Sequence, residues 1–472
     1  MVFSNKTKII ATIGPASMNK AELRAMITAG VDVMRINGAH GSEAEHARAV
    51  ELVRSVAKSM GQHTAVLFDL PGPKIRLGEL KSEPVMLKKG SIVTIACGSN
   101  VQSGDKIPVP EKFIAKAATA GTRIFINDGL VEVKVVSIDG LNLTCRVVAG
   151  GEIRSRKGLN LPNVDLPVSS LNRNDLRLLK LAIALGVDYV GLSFVRTAKD
   201  VKDLKKILSK KSPQIGVIAK IEKPEALGAI DEIIKAADAV MIARGDLGIE
   251  MPFYELPAIQ NDIILRCRYA GKPVITATQM MESMVLSAMP TRAEATDVAM
   301  AVWEGTDAVM LSEETSIGKN PAKAVSAMAR IAQRAERDIH ETNAPCEKSD
   351  KKEFQAQTIC FAAATIADKI DARAIVTPTR TGRTPLFVSG LRPYTLIIAP
   401  TEDEHVARIM QLFWGVFPIV TPTFSSVDET LRCAAESALN SSLIKKGDTI
   451  VITSGAHGKK DDITRLLEVR TV

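Results

Sequence analysis

Ile215-Gly216-Val217-Ile218-Ala219-Lys220-Ile221-Glu222-Lys223-Pro224 is an apolar, β-rich run that ends in charge. On a strand, residues i and i+2 face the same side. Lys220 and Glu222 therefore emerge together at the carboxyl end of a buried strand. Desolvating two charges can outweigh their attraction, so such a pair is costly to build for stability alone. A second run of this kind, Asp238-Ala239-Val240-Met241-Ile242-Ala243-Arg244-Gly245-Asp246-Leu247-Gly248, follows closely. It places Asp246 on a glycine-hinged turn at the end of what should be the adjacent strand. Two carboxylates at neighbouring strand ends, completed by substrate and water oxygens, suit a hard cation such as Mg²⁺ or Mn²⁺.

Working outward, short apolar runs recur at 8–13, 32–36, 65–70, 188–193, 215–221, 239–243, 273–278 and 308–312. Most are followed by helix-like sequence. Continuous apolar strands alternating with helices read as parallel β/α units buried on both faces. Eight units predict an α/β fold built on a (β/α)8 TIM barrel, with its reaction site at the carboxyl ends of the strands. The polar residues at those ends are Arg35, Asn37, Asp69, Ser193, Lys220, Glu222, Arg244, Asp246, Thr278, Ser312 and Glu314.

The rhythm breaks once, between Asp69 and Leu171. There β-like runs alternate with the turn signals Asn127-Asp128-Gly129, Asp139-Gly140 and Gly150-Gly151, which are hairpin signatures. This predicts a small all-β lid domain at 71–168, inserted between barrel parts at 1–70 and 169–343. An inserted domain at the catalytic end is suited to closing over substrate. A polar stretch with Pro345, at 341–352, reads as a linker. Beyond it βα alternation resumes near 374–377, 396–399, 418–421, 449–453 and 469, predicting an open C-terminal α/β domain over 352–472.

Composition narrows the function classes. The chain has 472 residues, 46% hydrophobic, enough for several cores. No apolar run is long enough to span a bilayer, and the N-terminus has no signal-peptide core, so no membrane association is expected. Cys97, Cys145, Cys267, Cys346, Cys360 and Cys433 are scattered without a CxxC pair, which points to a reduced, cytoplasmic setting. The net charge of +8 is spread rather than striped and aromatics are only 4%, so phosphorylated metabolites are favoured over nucleic acid.

Several long motifs occur in one order: Thr7-Lys8-Ile9-Ile10-Ala11-Thr12-Ile13-Gly14-Pro15-Ala16-Ser17, the run from Ile215 to Leu227, Met241 to Glu250, Gly271-Lys272-Pro273-Val274-Ile275-Thr276-Ala277-Thr278-Gln279-Met280, and Pro290-Thr291-Arg292-Ala293-Glu294. Together they resemble pyruvate kinase over essentially the whole chain. The resemblance implies phosphoryl transfer from phosphoenolpyruvate to ADP, giving pyruvate and ATP in glycolysis. It implies that Glu222 and Asp246 hold the divalent metal and that Lys220 neutralises the moving phosphoryl group and the enolate oxygen. Arg35 would grip the phosphate, and the backbone around Ala243, Arg244 and Gly245 would approach the carboxylate. Thr278 would place its hydroxyl near the enolate methylene. Asn37, His40, Arg76 and Lys157 resemble nucleotide contacts, and family members are usually homotetramers, with Arg292 in an interface-like segment.

Some positions depart from the family pattern. Many relatives bind K⁺ beside the substrate phosphate. Here Asn37 and Asp69 are kept, Ala39 stands where a serine ligand is usual, and Asp69-Leu70-Pro71-Gly72-Pro73-Lys74 has Lys74 in place of a glutamate. A lysine ammonium is a compact positive charge, which predicts Mg²⁺ dependence with K⁺ not required. Gly38, Met300 and Glu313 also differ from the usual residues. In the C-terminal part, Thr379-Arg380-Thr381-Gly382-Arg383-Thr384 joins a strand to a helix, a phosphate-binding pattern. It resembles the loop that takes an allosteric sugar phosphate or AMP in regulated relatives, although the matching half near 455–462 agrees poorly. Two rivals share parts of this reading: a Mg²⁺-dependent pyruvate or enolate lyase on a TIM barrel, and a non-catalytic effector-binding homologue.

Overall fold

The computed structural model describes residues 5–162, 164, 168–339, 351–423, 426–455 and 464–472. Its first strands are β1 (Lys8–Ile13), β2 (Val33–Asn37) and β3 (Ala65–Leu70), each fully or almost fully buried. The chain then enters an insertion with β4 (Val85–Leu87), β5 (Ile92–Cys97), β6 (Ile107–Val109), β7 (Arg123–Ile126), β8 (Val131–Asp139), β9 (Asn142–Ala149), β10 (Gly151–Ile153) and β11 (Leu159–Asn160). It returns through β12 (Tyr189–Leu192), β13 (Gly216–Ile221), β14 (Ala239–Ala243), β15 (Val274–Ala277) and β16 (Ala308–Leu311). These strands close a parallel barrel in the order β1-β16-β15-β14-β13-β12-β3-β2. The eight continuous apolar runs are its eight strands. Burial by the barrel interior on one side and helices on the other removes the polar alternation that an exposed face would impose.

Helices between the strands begin where the sequence supplies caps. Ser42 and Glu45 form a reciprocal capping box on Glu43–Ser59, and Thr291 with Glu294 does the same on Arg292–Glu304. Gly30 and Gly305 end their helices in the left-handed region, where a Cβ would be strained.

The insertion is mainly a six-stranded sheet, β11-β7-β8-β9-β5-β6, with its own apolar core around Ile95, Ile124, Val133 and Leu143. Two of the three turn signals make hairpins, β7–β8 and β8–β9. The third does not: after Gly150-Gly151, β10 leaves β9 and pairs with β4. The insertion also carries one short helix, Phe113–Ala117. Its two connections to the barrel are cross-bonded. Asn172 Nδ2 donates to the Gly72 carbonyl at 3.0 Å, and the Gly72 N–H donates to Asp175 Oδ1 at 3.0 Å. Asn172 also caps Arg173–Ala184, so the clasp is part of a helix start.

The C-terminal sheet has the order β19-β18-β17-β20-β21, with β17 (Ala374–Val376), β18 (Leu396–Thr401), β19 (Val416–Val420), β20 (Thr449–Gly455) and an antiparallel β21 (Thr464–Thr471). The linker expected at 341–352 lies outside the described residues up to 350, and a helix spans Lys351–Lys369. This sheet and its helices pack on the amino ends of the barrel strands. Tyr189 donates its hydroxyl to the Ile409 carbonyl at 2.7 Å, and Lys8 Nζ donates to the Val416 carbonyl at 2.8 Å. Arg392 pairs with Asp307 at 2.9 Å, both almost fully buried. One apolar cluster runs from inside the barrel (Ile10, Leu67, Ile218, Met310) into the C-terminal unit (Val388, Met410, Phe413). The carboxyl ends of the strands stay clear on the opposite side.

Candidate active site

Of the expected strand-end residues, Arg35, Asp69, Ser193, Lys220 and Glu222 are joined by hydrogen bonds and ion pairs. β13 lies between β12 and β14, so Glu222 and Asp246 follow adjacent strands. Lys220 and Glu222 share a face as their i, i+2 spacing requires, with Nζ 2.8 Å from Oε1. Lys220 Nζ also donates to Ser193 Oγ at 2.7 Å and to Asp69 Oδ2 at 3.1 Å. Burial alone would lower the Lys220 pKa, but the carboxylates of Asp69 and Glu222 outweigh it and hold the pKa above the ordinary lysine value. Lys220 is therefore held as an ammonium, a positive charge rather than a free base.

Arg35 donates through Nε and Nη2 to Asp69 Oδ2 at 3.0 and 2.6 Å, and through Nη1 to Thr12 Oγ1 at 3.1 Å. Burial pushes the Asp69 carboxyl up, yet Lys220 and Arg35 pull it below the usual range, so it is ionised. Its Oδ1 is buried without a hydrogen-bond partner, close against Gly191, where an added Cβ would lie 2.7 Å away. Glu222 is pushed up, first by burial and then by repulsion from Asp246, with Lys220 opposing. Its Oε2 accepts the Phe194 N–H at 2.8 Å, and Phe194 is held at φ 54°.

A divalent cation fits these two carboxylates. Glu222 is buried and Asp246 half-buried; they repel each other, and a cation between them would remove that repulsion. Among the described residues no group of three or more His, Cys, Asp or Glu side chains is placed to hold a metal, so the remaining ligands would have to be substrate, backbone or water oxygens.

The helix Arg244–Glu250 follows β14 directly and carries Asp246. Arg244 turns its guanidinium away from the carboxylates. It grips Asp297 with two 2.7 Å bonds and donates to the Thr278 carbonyl at 2.8 Å. It thereby fastens the turn in which Thr278 and Gln279 have φ of 66° and 53°. Such backbone is costly for residues other than glycine and persists only when its surroundings enforce it. Thr278 Oγ1 accepts the Gly245 N–H at 2.7 Å and donates to the Ala277 carbonyl at 2.6 Å. Ala243, immediately before the helix Arg244–Glu250, is buried.

Lys74, expected to stand in for K⁺, has a carboxylate partner from the helix after β14. Its ammonium lies 2.9 Å from Asp246 Oδ1. Asn37 Oδ1 accepts the Ala39 N–H at 3.1 Å. Gly38 has a reason: an added Cβ would meet the Asp69 carbonyl at 2.7 Å and the Phe68 ring at 3.1 Å. His40 has a lowered pKa, through burial and then the cations Arg76, Arg35 and Lys74, with Glu313 opposing. His40, Arg76, Arg35 and Lys74 thus surround one region, a setting that favours an anion. Arg76 bridges to Gly158 and donates to the Arg156 carbonyl at 3.1 Å, while the Lys157 carbonyl accepts the Leu77 N–H at 2.9 Å. These contacts place Arg76 and Lys157 on neighbouring segments at the base of the insertion. Met280, Met281 and Met284 are buried core, and Met300 is exposed on Arg292–Glu304.

The sequence reading did not assign roles to Thr12, Ser193, Phe194, Asn160, Lys223 or Glu250. Ser193 was visible as a polar strand end. The others become visible only when distant segments meet.

In the C-terminal unit, Thr379 Oγ1 accepts the Gly382 N–H at 3.0 Å, and Gly382, at φ 81°, starts the helix Arg383–Gly390. Arg380 pairs with Glu402 at 3.1 Å, and the buried Thr384 hydroxyl shares a hydrogen with Thr464 Oγ1 at 2.8 Å. The matching half expected at 455–462 lies outside the described residues beyond 455.

The family models for the pyruvate kinase barrel domain and the pyruvate kinase alpha/beta domain match residues 4–325 and 357–469. A pyruvate kinase of Clostridium acetobutylicum is 39% identical over 470 residues, covering 99% of each chain. One from Thermococcus litoralis is 41% identical over 458 residues, covering 96% of this chain and 95% of its own. Among solved structures, a pyruvate kinase from Cryptosporidium parvum superposes with a TM-score of 0.91 at 33% identity, covering 100% of this chain and 97% of its own.

Proposed function

The chain belongs to the pyruvate kinase family, and from that premise we propose how its strand ends divide the work. The activity is phosphoryl transfer from phosphoenolpyruvate to ADP, giving pyruvate and ATP. Lyase and non-catalytic readings are not favoured by these relatives. Phosphoryl transfer asks the protein mainly for positioning and charge neutralisation. The observation that carries the reading is the Lys220 ammonium, buried among Asp69, Ser193 and Glu222 and kept charged by the two carboxylates.

In this reading Lys220 and Arg35 face the phosphoryl group, and Lys220 also meets the oxygen that becomes the enolate. Glu222 and Asp246 would hold Mg²⁺ (or Mn²⁺), which would supply charge neutralisation to the substrate oxygens. The Ala243–Arg244–Gly245 backbone receives the substrate carboxylate, with the Gly245 N–H exchanging Thr278 Oγ1 for a substrate oxygen. Thr278, on its enforced turn, holds its hydroxyl toward the methylene carbon that gains a proton. Asn37, His40, Arg76 and Lys157 receive ADP phosphates, and the insertion acts as a lid.

Lys74 supplies the positive charge that relatives take from K⁺. Its ammonium lies 2.9 Å from Asp246 Oδ1, beside the carboxylates that would hold the divalent cation. The test is pyruvate formation with Mg²⁺ in sodium-only or tetramethylammonium-only buffer, with and without K⁺. Equal rates are expected, and strong activation by K⁺ sinks the Lys74 assignment while leaving the kinase intact.

A homotetramer fits the family resemblance, and Phe253, Tyr254, Leu286 and Met289 are exposed apolar side chains available to an interface. The Thr379–Thr384 loop is a phosphate site for a sugar-phosphate or AMP effector; Thr384→Asp should abolish activation. Among the described residues no helix is long and apolar enough to cross a membrane, and a cytoplasmic location fits the scattered free thiols.

A further inference from the structure

Glu250 ends the short helix that carries Asp246, one turn after it, so the two carboxylates share a helix face. Glu250 Oε1 accepts from two donors that come from elsewhere. Lys223 Nζ, in the loop after β13, lies at 2.6 Å, and Asn160 Nδ2, on the lid strand β11, at 2.9 Å. The Glu250 side chain is 1% exposed and that of Lys223 is 15% exposed. The lid also comes near the same helix at the β7–β8 turn: a Cβ added to Gly129 would lie 3.8 Å from Ile249.

A buried carboxylate is tolerated only when its charge and lone pairs are satisfied. Here one of the two donors belongs to the lid. Raising the lid withdraws Asn160 and leaves Glu250 with Lys223 and incoming water. We propose that Glu250 is a positioning residue: through Asn160 and Lys223 it latches the lid onto the helix that carries Asp246 and so sets how firmly the nucleotide is enclosed. The inference rests on the reading that Arg76 and Lys157 of the lid face ADP.

The test uses the full chain with Asn160→Ala, Asn160→Asp, Glu250→Gln and the double variant Asn160→Asp/Glu250→Gln. Asn160→Asp sets two carboxylates against each other. Hydrogen exchange at β11 and the 127–129 turn should quicken. Loss of a hydrogen bond to a charged group should raise KM for ADP roughly 10-fold. KM for phosphoenolpyruvate should change by less than about 2-fold, since its proposed contacts are on the barrel. In the double variant the amide introduced by Glu250→Gln can donate to the new carboxylate, which also remains within reach of Lys223, and both readouts should return toward wild type. A residue that mattered only for folding would show no such rescue. Asn160→Ala leaves the Glu250–Lys223 pair in place and keeps the test open if Glu250→Gln folds poorly. Faster exchange with an unchanged KM for ADP would keep the latch and discard the lid's role toward the nucleotide. Unchanged lid exchange in Asn160→Ala and Asn160→Asp, or a double variant no better than the sum of its parts, would overturn the latch.

Discussion

At the scale of single residues, the site is a balance of buried charges. Lys220 is the shared partner of Asp69 and Glu222, so its removal acts twice. Lys220→Met is expected to lower kcat by about 10²–10³-fold, the usual effect of losing one preorganised electrostatic contact. It should also destabilise by about 3–5 kcal/mol, because two buried carboxylates lose a cation. Steady-state kinetics and a thermal melt check the two effects separately. A variant that lost stability but kept kcat would show that Lys220 only supports the fold. Lys74 offers the complementary experiment. Lys74→Glu removes a positive charge 2.9 Å from Asp246 and adds a carboxylate of the kind many relatives have. Activity in sodium-only buffer should fall at least about 10-fold, and K⁺ should restore most of it. Failure of K⁺ to restore any activity would count against the charge-replacement argument.

At the scale of elements, the hinge is as informative as the strands. Gly72 has φ 67°, and a Cβ there would meet the Phe194 ring at 2.8 Å. Gly72→Ala therefore faces both backbone strain and a clash, and should cost about 1–3 kcal/mol in a thermal or denaturant melt. Because the Phe194 N–H holds Glu222 Oε2, the same change should weaken activation by Mg²⁺. An unchanged Mg²⁺ titration would separate the hinge from the carboxylate. The eight barrel strands were legible in the sequence because burial on both faces makes them unbroken apolar runs. The pairing of Lys220 with Glu222 was legible because strand geometry fixes it within two residues. The fate of Gly150-Gly151 was not, since β10 chooses β4 across a long stretch of chain. The partner of Lys74 was not either: a long flexible side chain picks its carboxylate in three dimensions, 172 residues away. The Asn160–Glu250 contact spans 90 residues and leaves no local pattern.

At the scale of the whole molecule, the C-terminal unit is bolted to the barrel by polar contacts around Asp188. Its carboxylate takes Arg54 from the barrel side at 2.7 Å, and Arg408 and His405 from the C-terminal side at 2.8 and 3.3 Å. The other His405 nitrogen lies 3.0 Å from the Gln214 carbonyl. Both ring nitrogens face acceptors, so both are best satisfied as donors in the imidazolium. The Asp188 bond accordingly raises the His405 pKa above its ordinary value, against burial and the Arg408 charge; Glu404 pairs with Arg408 at 3.7 Å nearby. A raised folded pKa contributes stability that is complete below about pH 6.5 and is lost as pH rises through the folded value. The Tm advantage of wild type over His405→Gln should therefore be largest near about pH 6 and shrink toward about pH 9. A constant difference across that range would rule out the imidazolium.

The apolar cluster that passes from the barrel interior into the C-terminal unit has its own consequence. The floor of the barrel is not a finished surface. Cutting the chain after the barrel would open the barrel's share of that oily cluster to water, and an excised barrel should clump rather than stay dispersed. Chains that acquired or lost such a unit in descent would have had to rewrite both sides of the seam together. A heating scan of the intact protein should accordingly melt barrel and C-terminal unit in one peak, whereas the insertion, with a separate core, is free to melt apart from them.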